Sequence, residues 1–173
     1  KEPLEGNNPL RSLKNVILFP HMAGPTYDMR EKITRALIDD LILVVSGCRE
    51  NNDDGTVLYR SYIDGKDLPL LDSNAEWFVF TSQYEGFGLP PLEAMQCGCP
   101  VIASNNSSIP EVVGGAGLLI DWDSDKQHVE AFEKYYFDEK MRNECRKKGL
   151  ERAGVFSWER TAFAILSVVK EDI

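Results

Sequence analysis

A chain of 173 residues has room for one well-packed domain and not for two, since domains commonly run to about 100–150 residues. Its 43% hydrophobic and 27% charged residues are those of an ordinary globular protein and exclude a disordered or fibrous one. A net charge of −9 argues against a general attraction to nucleic acid or anionic membranes, so any phosphate site must be local. Runs such as Leu41–Val45 and Trp77–Phe80 fall far short of the roughly 20 residues that span a bilayer, and Lys1 to Asn8 is polar and reads as no secretory signal. Cys48, Cys97, Cys99 and Cys145 lack zinc-site spacing, so no metal is expected and the thiols read as reduced, in a cytoplasmic protein without a transmembrane segment.

In chain order, short runs rich in branched and aromatic residues predict strands at Val16–Phe19, Ile42–Ser46, Val57–Tyr62, Trp77–Thr81, Val101–Ser104 and Leu118–Ile120. Between them, Ile33, Leu37, Ile38 and Leu41 lie at helical spacing in Tyr27–Leu41. Lys66–Asn74 and Leu89–Cys97 are further helices, the second opened by a Pro-Pro pair suited to a first turn. The last third reads as helices at Lys126–Phe137, Glu139–Ala153 and Ser157–Lys170, with Ser157 as an amino-terminal cap. Strands alternating with helices predict an α/β fold, a Rossmann-like three-layer sandwich with a mostly parallel sheet and a helical carboxyl-terminal third, as a single domain over 1–173.

One junction resists a parallel sheet. Only Gly47 to Thr56 separates the second and third strands, and Asp54-Gly55 has hairpin-turn chemistry. Either the pair is antiparallel or a crossover helix has been lost.

The most informative stretch runs from Thr81 through Glu85-Gly86-Phe87-Gly88-Leu89-Pro90-Pro91-Leu92-Glu93-Ala94-Met95. A strand ends, a glycine-containing loop follows and a helix opens. Glycines allow a ligand to approach the backbone, and a helix amino terminus offers N–H groups and positive dipole to a phosphate. Glu85 at the loop's mouth suits sugar hydroxyls, and Glu93, one turn into the helix, suits a ribose. Geometry of this kind also serves as a mere tight connection, and the residues alone leave both readings open.

Glu85 and Glu93, with seven residues between them in Glu-Gly-Phe-Gly-Leu-Pro-Pro-Leu-Glu-Ala-Met, resemble the signature of family 4 glycosyltransferases, which are two-lobed enzymes of the GT-B type. The resemblance continues through Gly98-Cys99-Pro100-Val101, Ser108-Ile109-Pro110-Glu111-Val112-Val113-Gly114, Ala116-Gly117-Leu118-Leu119-Ile120-Asp121 and Phe156-Ser157-Trp158, and covers about residues 57–165. It implies the carboxyl-terminal, donor-binding lobe of a retaining enzyme. Glu85 would lie at the sugar and reacting centre, Glu93 at the ribose, and the amides of Gly86, Phe87, Gly88 and Leu89 at the diphosphate or sugar. A nucleotide-diphosphate-sugar is then the donor substrate, with no metal or other cofactor. The arginine and lysine the family uses on the diphosphate have no clear counterpart, Arg30 and Lys32 being the nearest, and the acceptor-binding lobe is expected to be missing, leaving the chain inactive alone.

Residues 2–40 resemble a different family. Pro9 through Val16-Ile17-Leu18-Phe19-Pro20-His21-Met22-Ala23-Gly24 is similar to the end of the nucleotide-binding domain of D-2-hydroxyacid dehydrogenases, whose catalytic histidine would fall at His21. No Gly-x-Gly-x-x-Gly fingerprint is present, so His21 reads as an orphan at a strand end. A chimera is the expectation, with 1–40 dehydrogenase-like and 41–173 glycosyltransferase-like, and its extreme form is a folded scaffold without activity. His128 reads as a surface helix residue, and Arg142, Arg146, Lys147, Lys148 and Arg152, mixed with glutamates, as a solvated helix face.

Overall fold

The computed structural model of the chain describes residues 16–19, 42–46, 57–60 and 63–171. Six strands, β1 (Val16–Phe19), β2 (Ile42–Ser46), β3 (Val57–Arg60), β4 (Ala75–Phe80), β5 (Val101–Ser104) and β6 (Leu118–Ile120), form one sheet in the order β3-β2-β1-β4-β5-β6. All five pairings are parallel. Of the two readings left open at the β2–β3 junction, the antiparallel pair is not the one formed, for Leu43 to Ser46 lie in parallel register with Val57 to Arg60. Ten extended residues reach roughly 33–36 Å, ample to return along a strand of this length, so turn chemistry in the linker did not dictate antiparallel pairing.

The helices are α1 (Leu68–Asn74), α2 (Leu89–Gln96), α3 (Ile109–Val113), α4 (Asp125–Phe137), α5 (Glu139–Ala153) and α6 (Trp158–Glu171), with a 3-10 turn at Gly114–Ala116. Each predicted helix from Lys66 onward is present, shifted by no more than two residues at either end. The predicted helix Tyr27–Leu41 lies outside the described residues, as do His21, Arg30, Lys32 and Cys48.

Alternation along β4 and β5 sorts the core into two layers. Phe78, Phe80, Val101 and Ala103 face α2 and α3, packing with Leu92, Ala94, Met95, Ile109 and Val112. Trp77, Val79 and Ile102 face the other way, onto Ala131, Phe132 and Tyr135 of α4. A sheet covered on both faces needs apolar residues at successive positions, which is why these strands read as continuous hydrophobic runs. Trp77 meets Phe132 and Tyr135 at centroid distances of 6.1 Å each, and the Tyr135 hydroxyl donates to the Val101 carbonyl at 3.1 Å.

Local chemistry starts the helices. Ser124 accepts from the Gln127 amide ahead of α4, Asp138 from the Met141 amide ahead of α5, and Ser157 from the Arg160 amide ahead of α6. His128 departs from expectation, being fully buried. It lies three, four and seven residues before Ala131, Phe132 and Tyr135, on the stripe that α4 turns to the sheet. Its Nδ1 bonds the Ser124 carbonyl at 2.8 Å, and burial holds its imidazole below the ordinary histidine pKa, that is, neutral. The basic face of α5 is not uniformly solvated either. Arg142 donates to the carbonyls of Tyr135 and Tyr136 and pairs with Glu76 at 3.5 Å, joining α5 to the end of α4 and to β4.

α2 is entered through Gly88, whose φ of 99° falls in the left-handed region. A Cβ there would lie 2.6 Å from Ile109 Cδ1, whereas one at Gly86 would meet nothing within 4 Å. Gly88→Ala should therefore cost roughly 1–3 kcal/mol from backbone strain and overlap, while Gly86→Ala leaves stability within about 0.5 kcal/mol. Urea unfolding of the two variants checks the contrast, and equal losses would contradict it.

Candidate functional site

The strand order runs outward in opposite senses from β1 and β4, making their boundary the switch point of the sheet. In doubly wound sheets, ligands gather outside the carboxyl ends of strands at such a point. The segment Thr81–Gly88 leaves the carboxyl end of β4 at that boundary and leads into α2. It contains four of the six residues the sequence singles out, Glu85, Gly86, Phe87 and Gly88, with Leu89 opening the helix.

A second loop braces the first. The Glu85 amide donates to Ser107 Oγ at 3.1 Å, Ser108 Oγ donates to the Glu85 carbonyl at 3.0 Å, and Asn106 Nδ2 donates to the Gln83 carbonyl at 2.9 Å. Ser82 Oγ closes the loop internally on the Tyr84 carbonyl. Ser107 makes its contact from a φ of 47°, the one non-glycine in the left-handed region among the described residues. Strain of this kind, of order 1–3 kcal/mol, persists where neighbours over-determine the backbone. Both peptide groups of Glu85 are thus occupied by the β5–α3 loop, and its side chain is half-buried.

At the amino terminus of α2, Pro90 and Pro91 carry no N–H, and no side chain caps the end. Of the four donors a helix start normally offers, only those of Gly88 and Leu89 remain. The terminus is therefore a two-amide site beside an uncrowded Gly86, and Tyr84, Phe87 and Leu89 of the same segment are exposed. This arrangement can accept an anionic oxygen at the backbone.

Glu93 is exposed on α2, and its surroundings were not legible in the sequence. It faces Asp72 of α1, which is buried at 5% exposure. Burial, helped by the charge of Glu93, pushes the Asp72 carboxyl up to about 7. The same neighbourhood, burial first and then Asp72 and Glu93, pushes the Cys97 thiol up, and burial raises Cys99 further, so neither is a ready thiolate. Cys97, Cys99 and Cys145 are free, and among the described residues no cluster has the makings of a metal site. No helix among the described residues is long and apolar enough to cross a membrane.

Sequence reasoning missed Ser107, Ser108, Arg152 and Asp72. A signal existed for the serines, since Ser-Ser ahead of Ile-Pro is helix-start chemistry, but their bonds to Glu85 span 22 and 23 residues and have no local trace.

A doubly wound α/β lobe with a glycine loop and an open helix terminus at its switch point defines the class of this protein. The chain belongs to the glycosyl transferases group 1 family, whose model matches residues 29–152. That match begins inside the segment 2–40 that resembles dehydrogenases. Over 138 residues the chain is 41% identical to O-antigen chain mannosyltransferase B of Escherichia coli, covering 76% of this chain and 34% of that protein. It superposes on the C-terminal domain of a glycosyl transferase group 1 family protein from Francisella tularensis with a TM-score of 0.66 and 23% identity, over 82% of this chain and 85% of that one. HepE of Anabaena, solved in complex with UDP and glucose, matches with a TM-score of 0.77 and 16% identity, over 93% of this chain and 49% of that one. At these identities the two structures establish the shared fold. The chain spans about a third of the length of the mannosyltransferase it matches.

Asp72 yields a pH test. Its folded pKa of about 7 lies above the ordinary 3.8, so the stability it contributes is complete below about 3.8 and is lost as pH rises towards 7. Asp72→Asn cannot ionise. It should match the wild type near pH 4 and exceed it by roughly 2–4 kcal/mol at pH 8, at 1.36 kcal/mol per unit. Denaturant midpoints at the two pH values check this, and a difference independent of pH would contradict it.

Proposed function

We propose that the chain is the nucleotide-sugar-binding lobe of a retaining glycosyltransferase of family 4, built on the two-lobed GT-B plan. The observation that carries this reading is the Glu85–Gly88 loop, braced by Ser107 and Ser108 at the switch-point edge and opening directly into α2. The amides of Gly86, Phe87, Gly88 and Leu89 receive the diphosphate or sugar, Glu85 engages the sugar near the reacting centre, and Glu93 accepts from the ribose hydroxyls. HepE, a structure of the same fold, holds UDP and glucose, which supports a nucleotide-sugar as the donor here. No metal enters this scheme, and the protein works in the cytoplasm.

The acceptor lobe lies outside these 173 residues. Two findings support this. The matched mannosyltransferase is about three times the length of the matching stretch, and α6 exposes Trp158, Phe163, Ile165, Leu166, Val168 and Val169, each at least half accessible. Apolar patches of that kind mark surfaces that something covers. Transfer requires donor and acceptor in a near-attack arrangement, and one lobe provides half of it. The 173 residues alone therefore bind donor without transferring it.

A second reading is a chimeric scaffold in which residues 2–40 derive from a dehydrogenase-like parent and the pocket is a relic. The Pro20-His21-Met22-Ala23-Gly24 motif is what favours it. Calorimetric titration with UDP- and GDP-sugars separates the two. Charge-assisted hydrogen bonds contribute roughly 1.5–3 kcal/mol, so Glu93→Gln should weaken nucleotide binding about ten- to a hundredfold with little change in stability. Glu85→Gln should weaken the nucleotide-sugar more than the bare nucleotide. Equal affinities for wild type and Glu93→Gln would leave the scaffold reading in first place.

A further inference from the structure

We propose that Arg152 is a positioning residue for the donor loop, holding Glu85 from one side through α3 and Phe87 from the other through Phe156. This rests on the donor-lobe reading above. Arg152 lies near the carboxyl end of α5 and is half-buried. Its Nε donates to the Val112 carbonyl at 3.0 Å, and its Nη2 to the carbonyl of Glu111. These belong to the last turn of α3, whose carbonyls have no partner within the helix itself. A helix of five residues does not hold itself in water, so external bonds decide where it sits.

The position of α3 matters because its approach carries the brace. Ser107 and Ser108, directly ahead of Ile109, hold the two peptide groups of Glu85, and Ile109 fills the space against Gly88. A shift of α3 moves all three contacts together.

The other face of the same guanidinium lies over the Phe156 ring, with Cζ 5.0 Å from its centroid. Phe156 in turn meets Phe87 edge to face, at 5.9 Å and 89°. One planar group thus reaches both flanks of the loop, using its fork for carbonyls and its face for a ring. Lysine cannot do both, because its ammonium is a point charge without a fork or a flat face.

The test uses amide hydrogen exchange by NMR on the 173-residue chain, alongside titrations with UDP-glucose, GDP-mannose, UDP and GDP. In Arg152→Gln, the Glu85 amide should exchange about tenfold faster and the Phe87 side chain should gain mobility in NMR relaxation, while Val79 in β4 keeps its exchange rate. Arg152→Lys should behave like the glutamine variant and not like the wild type. Affinity for the bound nucleotide-sugar should fall about five- to tenfold and that for the bare nucleotide less than about twofold, a pattern that a general loss of stability does not produce. Phe156→Leu leaves the α3 bonds intact and should loosen Phe87 more than Glu85, which keeps the proposal testable should the arginine variants fail to fold. Unchanged exchange at Glu85 and unchanged mobility of the Phe87 side chain in folded variants overturn the proposal whatever the ligands do. Faster exchange in variants of a chain whose wild type binds none of the four ligands retains the positioning role and removes the donor-lobe reading instead.

Discussion

Two hydroxyls hold the Glu85 peptide between them. Ser107 accepts from its amide and Ser108 donates to its carbonyl, so a loop with little regular structure of its own is tied by its backbone to the next loop along the sheet. Everything proposed for this edge depends on that tie, because amides and a carboxylate receive a ligand usefully only when their positions are fixed beforehand. The strained φ of Ser107 and the glycine at position 88 are local costs of bringing the two loops so close. They are offset by the packed layer beneath, where Ile109, Val112 and Leu92 lie against the alternate residues of β4 and β5.

The parallel sheet is what brings these loops together. Parallel pairing sends every strand's carboxyl end to one edge, so the connections after β4 and β5 emerge side by side without any further instruction. The prolines at positions 90 and 91 then leave the start of α2 with two free donors, and the open space at Gly86 leaves them approachable. Beneath this edge, the burial of Asp72 on α1, with a smaller contribution from the charge of Glu93 on α2, carries a stability cost at neutral pH. Costs of this kind are commonly found at functional edges.

Much of this was legible in the residues because it is local. Continuous apolar runs at Trp77–Phe80 and Val101–Ile102 announce strands covered on both faces, and Ser157 announces the start of α6. What was not legible depends on the fold as a whole. Asp54-Gly55 has the chemistry of a hairpin, yet β2 and β3 pair in parallel, since a ten-residue linker is long enough for either outcome. His128 was readable as buried from its spacing to Ala131, Phe132 and Tyr135, but its polar character suggested the surface. Arg152 reads as one charge among several on α5, and only the structure shows its guanidinium committed to α3 and Phe156.

The central claim is that a nucleotide-sugar sits at the Glu85 loop. Titrating the isotopically labelled 173-residue chain with UDP-glucose and GDP-mannose, while following backbone amide shifts, tests it most directly. The account predicts that with one of these donors the largest changes fall on Gly86 to Leu89 and on Glu93, with those in α4 and α6 small. Saturable binding whose largest changes fall on α4 or α6, with the Gly86–Leu89 amides unmoved, would contradict it.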